Sequence, residues 1–150
     1  MNGMRDLAAL IGRILIALIF IMSGWSKITG FASTGGYMAS AGIPAALVTP
    51  GLIASILVEL GCGLLIVLGF KARWAALIIF LWLIPVTTIF HLMPMRAGQN
   101  AMINMVMVMK NLSIMGGLLI LVGMGPGAYS LDGADLTTRN ERLTGREALA

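Results

Sequence analysis

The stretch LVTPGLIASILVELGCGLLIVLGF (47–70), KAR (71–73) and WAALIIFLWLIPVTTIFHL (74–92) decides the fold. It holds two apolar runs, 47–70 and 72–92, each long enough to cross a hydrocarbon core of roughly 30 Å. Lys71-Ala72-Arg73 leaves room only for a tight turn, so the two runs are antiparallel neighbours. Working outward, similar runs occur at 7–28 and 101–124. Of the 150 residues, 59% are hydrophobic and 11% charged, where soluble domains carry roughly 25% charge. The sequence therefore predicts an all-α polytopic membrane protein, an antiparallel bundle of four transmembrane helices over residues 1–132. A polar tail, 133–150, follows. Gly125-Pro126-Gly127 ends the fourth helix, since Gly suits a helix C-terminus and Pro cannot continue one, and from Asp132 onward the chain is polar and expected to be loose.

Charge sets the expected orientation. Arg5, Lys71, Arg73, Arg139, Arg142 and Arg146 flank one face, and Lys27 and Arg96 the other, so the positive-inside rule puts both termini in the cytoplasm. The lipid bilayer is the first partner. The 10 Lys and Arg residues and net charge of +4 build no basic stripe, which argues against nucleic acid. Arg5 before the apolar run 14–22 resembles a secretory signal, but Arg13 delays the run, and Trp25 and Lys27 follow it without a small-residue cleavage pattern. We read the segment as an uncleaved anchor. The link 29–46 is long for a helix connection and is expected to lie along the membrane surface, as a lid.

The informative residues are the ionisable ones within the spans. Arg13, Glu59 and Lys110 each cost roughly 2.5–3.5 kcal/mol at a helix centre, so they should face the bundle interior and find partners. A rise of about 1.5 Å per residue puts them at roughly 9, 17 and 21 Å from the inner face, which makes Glu59 the expected shared counter-ion. Helical spacing supports inward stripes: Arg13, Ala17, Phe20, Gly24 and Lys27; Ser55, Glu59 and Cys62; Thr87 and His91; Asn104, Met107 and Asn111 beside Lys110. These stripes predict an inner polar layer of Arg13, Glu59, Lys110 and Asn111, and an outer one of Ser23, Lys27, His91 and Asn104. Two readings stay open. The charges either fix helix register or, with two cations to one carboxylate, hold an anion or a polarised oxygen such as a quinone carbonyl or phenolate. His91 is the residue type whose unperturbed pKa suits proton exchange near neutrality.

Other signals are weaker. His91, Met93 and Met95 resemble a soft copper site, yet 12 methionines in an apolar chain make such neighbours a matter of chance, and we expect no metal. One histidine offers no bis-imidazole pair for haem. The remaining methionines fit as gap-fillers. Cys62 stands alone, which excludes a thiol relay within one chain, and between Gly61 and Gly63 it suits close helix approach.

Taken together, these residues resemble the DoxX family of small four-helix inner-membrane proteins, from about Arg5 to Asp132. The resemblance rests on Gly12-Arg13 followed by Phe20-Ile21-Met22-Ser23-Gly24 and Lys27, on Tyr37 with Gly42-Ile43-Pro44, and on Glu59-Leu60-Gly61 leading to Leu68-Gly69-Phe70 and Arg73. It continues through Phe90-His91, Lys110-Asn111-Leu112, Gly116-Gly117, and Gly125-Pro126-Gly127 to Ser130-Leu131-Asp132. The resemblance implies a bacterial inner membrane and a quinone-linked setting, because members of that family accompany quinol oxidation, thiosulfate:quinone oxidoreduction, and catechol or quinone detoxification. Two functions follow. One is a subunit of a quinone-linked redox or detoxification system, with Arg13, Lys27, Glu59, His91, Asn104, Lys110 and Asn111 as its binding residues. The other is a non-enzymatic assembly subunit or small-molecule carrier. No cofactor motif is encoded; a bound quinone is the redox group the first function implies, and a redox partner protein or a homo-oligomer would complete it.

Overall fold

The computed structural model describes residues 2–133. We number the helices α1 (Asn2–Thr29), α2 (Phe31–Ser40), α3 (Ala45–Leu68), α4 (Ala72–Arg96) and α5 (Ala101–Met124). The spans are α1, α3, α4 and α5, all apolar over membrane length. Consecutive spans alternate in direction. The face where α1 begins and α5 ends is here called the terminal face, and the opposite one, which carries α2, the loop face.

Local chemistry sets the span ends. The second span stops at Leu68 rather than Phe70 because Gly69 takes the left-handed conformation, φ +67°. Gly69 N–H bonds the Ile66 carbonyl and Phe70 N–H the Leu65 carbonyl, the Schellman pattern that satisfies the last carbonyls of a helix. The third span instead passes Leu92 and reaches Arg96. Its backbone widens into a π turn at Thr88–Leu92, where Met93 N–H bonds the Thr88 carbonyl, and Pro94, which has no N–H to give, follows directly. A second π turn, Leu57–Cys62, interrupts α3.

The core is built from Ala17, Phe20, Cys62, Ile66, Ala75, Ala76, Ile79, Leu83, Leu118 and Leu121. α4 packs along both α5 and α3, and α3 along α1, whereas α1 and α5 scarcely meet. Close approach of α1 and α3 depends on glycine: a Cβ at Gly24 would lie 2.6 Å from Leu60 Cγ. The outward residues are large and apolar, among them Leu15, Leu81 and Ile120, as solvation by lipid tails demands.

The link 29–46 is mostly helical. Its α2 packs on α3 and α1, and the Tyr37 ring stacks on Phe90 with centroids 5.5 Å apart. At the terminal face, Asp132 is fixed rather than loose. Its carboxylate accepts the N–H groups of Lys71 at 2.9 Å and Ala72 at 3.1 Å, capping α4 from a distant part of the chain. Asp132 N–H bonds the Gly69 carbonyl, and Ala128 N–H bonds Asp6 Oδ1 at 3.2 Å. The segment after α5 is thus strapped across the bundle. Arg139, Arg142 and Arg146 lie outside the described residues.

Candidate functional site

Glu59 sits in the π turn of α3, 6% exposed. Its partner is Lys27, whose Nζ donates to Glu59 Oε2 at 2.7 Å, to Oε1 at 3.0 Å and to Ser23 Oγ at 2.7 Å. Those three bonds use every hydrogen of an ammonium. Ser55 Oγ, one turn before Glu59, donates to Oε1 at 3.0 Å. The result is a charge-neutral knot of four side chains, and the ion pair is the one salt bridge among the described residues.

This corrects the expectation that Glu59 pairs with Arg13 and Lys110. Depth along a helix axis misplaces the charge, because a helical side chain leans toward its helix N-terminus. α1 starts at the terminal face, so Arg13 leans to that face and Lys27 leans inward from the loop end. α3 and α5 start at the loop face, so Glu59 rises to meet Lys27. Arg13, 2% exposed, ends among backbone carbonyls: Nη1 donates to Pro126 O at 3.0 Å and Nη2 to Tyr129 O at 2.6 Å. Lys110 is exposed, and among the described residues its Nζ donates to the Met107 sulfur alone, at 3.4 Å.

The expected stripes of α1, α3 and α4 face inward, whereas on α5 Asn111 is buried and Asn104 and Met107 are half-buried. Asn111 Nδ2 donates to Thr87 Oγ1 at 2.9 Å, with both residues buried. His91 Nδ1 lies 3.3 Å from Asn104 Oδ1, and Asn104 Nδ2 donates to the Gln99 carbonyl at 2.8 Å. Among the described residues no group of three or more His, Cys, Asp or Glu is placed to hold a metal ion.

Lys27, Glu59, His91, Lys110 and Asn111 line one cavity of about 550 Å3 in the loop-face half of the bundle. Arg13 lines a different cavity at the terminal face, and Asn104 reaches the first only through His91. The cavity gathers Phe20, Trp82 and Phe90 from the spans and Tyr37 from α2. Trp82 is absent from the residues expected at the site, and among the described residues its buried Nε1 has no hydrogen-bond partner. The signal was present: Trp82, Pro85 and Ile89 repeat at helical spacing beside the Thr87–His91 stripe. A space of this size, apolar with a few convergent polar groups, is the form small-molecule sites take.

Comparison with known proteins agrees with the architecture. Inner membrane protein YqjF of Escherichia coli (strain K12) is 40% identical over 132 residues, covering 88% of this chain and 95% of that protein. Inner membrane protein YphA of the same organism is 38% identical over 128 residues, covering 85% and 90%. No solved structure matches the chain. The DoxX family model matches residues 8–92, the part that carries Lys27, Glu59, Trp82 and His91, and with these full-length relatives it shows that the chain belongs to the DoxX family of integral membrane proteins.

Proposed function

We propose that this chain is the membrane-embedded binding subunit of a quinone-linked system, taking a lipid-soluble aromatic compound with acceptor oxygens, of the quinone or phenol class, into the cavity beneath α2. The observation that carries the reading is Lys110. It lies about 14 Å along α5 from the loop face, lines the cavity, and among the described residues has no acidic partner within ion-pair distance. A lone ammonium at that depth costs enough to need an acceptor, and Glu59 is already neutralised by Lys27. An aromatic head group would pack between Phe20 and Trp82, with an oxygen accepting from Lys110. The Lys27–Glu59 knot supplies a fixed polar wall, and Tyr37 on Phe90 covers the loop-face side. A bound quinone would supply two-electron, two-proton redox chemistry, while the chain's own residues bind, orient and exclude water. In this reading the terminal face, with Arg5, Lys71 and Arg73, is cytoplasmic.

Trp25 and Trp74 are exposed on the outside of the bundle, so the Trp25→Phe/Trp74→Phe variant leaves Trp82 as the only tryptophan. Titrating this protein in nanodiscs with decylbenzoquinone should quench Trp82 saturably. Adding Lys110→Met should weaken binding about tenfold or more, the worth of a hydrogen bond from a charged donor. Quenching that never saturates, or is unchanged by Lys110→Met, would refute the reading.

A further inference from the structure

The second cavity lies at the terminal face, on the one seam of the bundle that is not zipped. α1 and α5 cross where a Cβ on Gly117 would come within 2.9 Å of Ile16 Cδ1. From that crossing to the terminal face they diverge, leaving a groove of about 700 Å3. Its walls include Gly12, Ile16, Gly117 and Leu121, and its outer end carries Arg5. Arg13 also lines it; that guanidinium is buried, its Nε has no partner, and no carboxylate lies within ion-pair distance of it among the described residues. Arg73 adds a third cation from α4, packed so closely on Gly125 that a Cβ there would meet Nη2 at 2.9 Å. Two carboxylates stand near: Asp6, which lines the groove and accepts from Ala128 N–H, and Asp132, which caps α4 and acts electrostatically on Arg13; the three cations outnumber them by one.

From Arg5 to Ile16 the groove runs about 16 Å, roughly half of a 30 Å hydrocarbon core. Cations stand at the face and apolar walls run to mid-membrane, the polarity order of one phospholipid in one leaflet. A free anion would leave the apolar depth unused. A second copy packed face to face would set Arg5 and Arg13 against their equals. We propose that this groove binds one anionic phospholipid of the adjoining leaflet, with its phosphodiester at Arg5 in the field of Arg13 and Arg73, and an acyl chain along Gly12, Ile16 and Gly117.

The test uses the full chain in mild detergent, delipidated and then given phosphatidylglycerol, phosphatidylcholine with the same acyl chains, glycerophosphoglycerol, or inorganic phosphate. Native mass spectrometry and thermal melting are the readouts. One phosphatidylglycerol should bind and raise the melting temperature, with the other three far weaker. Arg5→Gln, at an exposed position, should weaken it about fivefold, the worth of one basic residue at an anionic lipid surface. Gly12→Leu, placed where a new Cβ meets nothing within 4 Å, should fill the groove and remove the adduct while helix content is retained. Equal binding of phosphatidylcholine, an equal effect of either soluble anion, or parent-like affinity in Arg5→Gln would overturn the proposal. Arg5→Gln decides alone if Gly12→Leu does not fold.

Discussion

Replacing Glu59 with Gln removes the negative charge from the Lys27 knot and leaves the ammonium with neutral acceptors alone, Ser23 Oγ and the side-chain amide oxygen. Breaking a buried ion pair by deleting one partner costs about 3–5 kcal/mol, mostly because the other charge is stranded. Glu59 has a side chain only 9% exposed, but that of Lys27 is 21% exposed toward a cavity, so the expected loss is near the lower end, about 3 kcal/mol. Lys27→Met should cost a similar amount, since Ser55 alone then serves the carboxylate. In the double variant Lys27→Met/Glu59→Leu no charge is stranded, and apolar replacement of a buried pair is commonly neutral or stabilising. We therefore expect the double variant to lose at least about 2 kcal/mol less than the sum of the single losses. The assay is unfolding of the micellar protein by rising dodecyl sulfate mole fraction, followed by far-ultraviolet circular dichroism. A control cycle pairs Glu59→Gln with Lys110→Met and should be additive, because the structure keeps Lys110 on its own. Additivity within about 0.5 kcal/mol for Lys27 and Glu59, or strong coupling for Lys110 and Glu59, would refute the pairing.

Three further outcomes follow from the geometry. Asp132→Ala removes the acceptor of the Lys71 and Ala72 N–H groups and should cost about 0.5–2 kcal/mol, the worth of a helix cap, read as a lower melting temperature. Gly69→Ala forces a side chain onto φ +67° and drives its Cβ into Ser130 Cβ and Arg13 Nη1; it should cost more than the roughly 1 kcal/mol of the conformation alone, read as a lower melting temperature. Asn111→Ala strands a buried Thr87 hydroxyl and should destabilise by about 1–3 kcal/mol, whereas Asn111→Leu/Thr87→Val, which removes both polar partners, should recover much of the loss.

The spans and their inward faces were legible because apolar run length and helical period are local properties. Ala17, Phe20 and Gly24 lie buried between Arg13 and Lys27 as the spacing requires. Which charge meets which was not legible from axial depth. Arg13 and Glu59 are not points on two rods: antiparallel helices lean their side chains in opposite directions. The same geometry, applied to Lys27, finds the right partner. Asp132 was missed for a different reason: a cap delivered 60 residues along the chain leaves no mark in the local pattern of Lys71-Ala72-Arg73. The helix α2 was hidden by its composition, since Gly35, Gly36 and two serines are poor helix formers. Packing of α2 on α3 and α1, including Tyr37 on Phe90, outweighs that preference.

The two halves of the bundle are packed by different rules, and this places the cavity. In the terminal-face half, Ile66, Ala72, Ala76, Ile79 and Leu118 are completely buried, and the small alanines let α4 lie close to its neighbours. Toward the loop face lie the π turn that carries Phe90 and His91, Pro50 in α3 and Pro85 in α4, and from the π turn just past the middle of α3 the Glu59 side chain leans the same way. A π turn inserts an extra residue per turn and a proline deletes a backbone bond, so helices built this way cannot close on one another as tightly. The space they leave holds the polar groups, while the tight half anchors the helices that present them. The tight packing of α3, α4 and α5 toward the terminal face can keep the fold while Lys110, Trp82 and the Lys27–Glu59 knot face a cavity that tolerates a guest, and the terminal-face groove lies aside from that packing, on the α1–α5 seam.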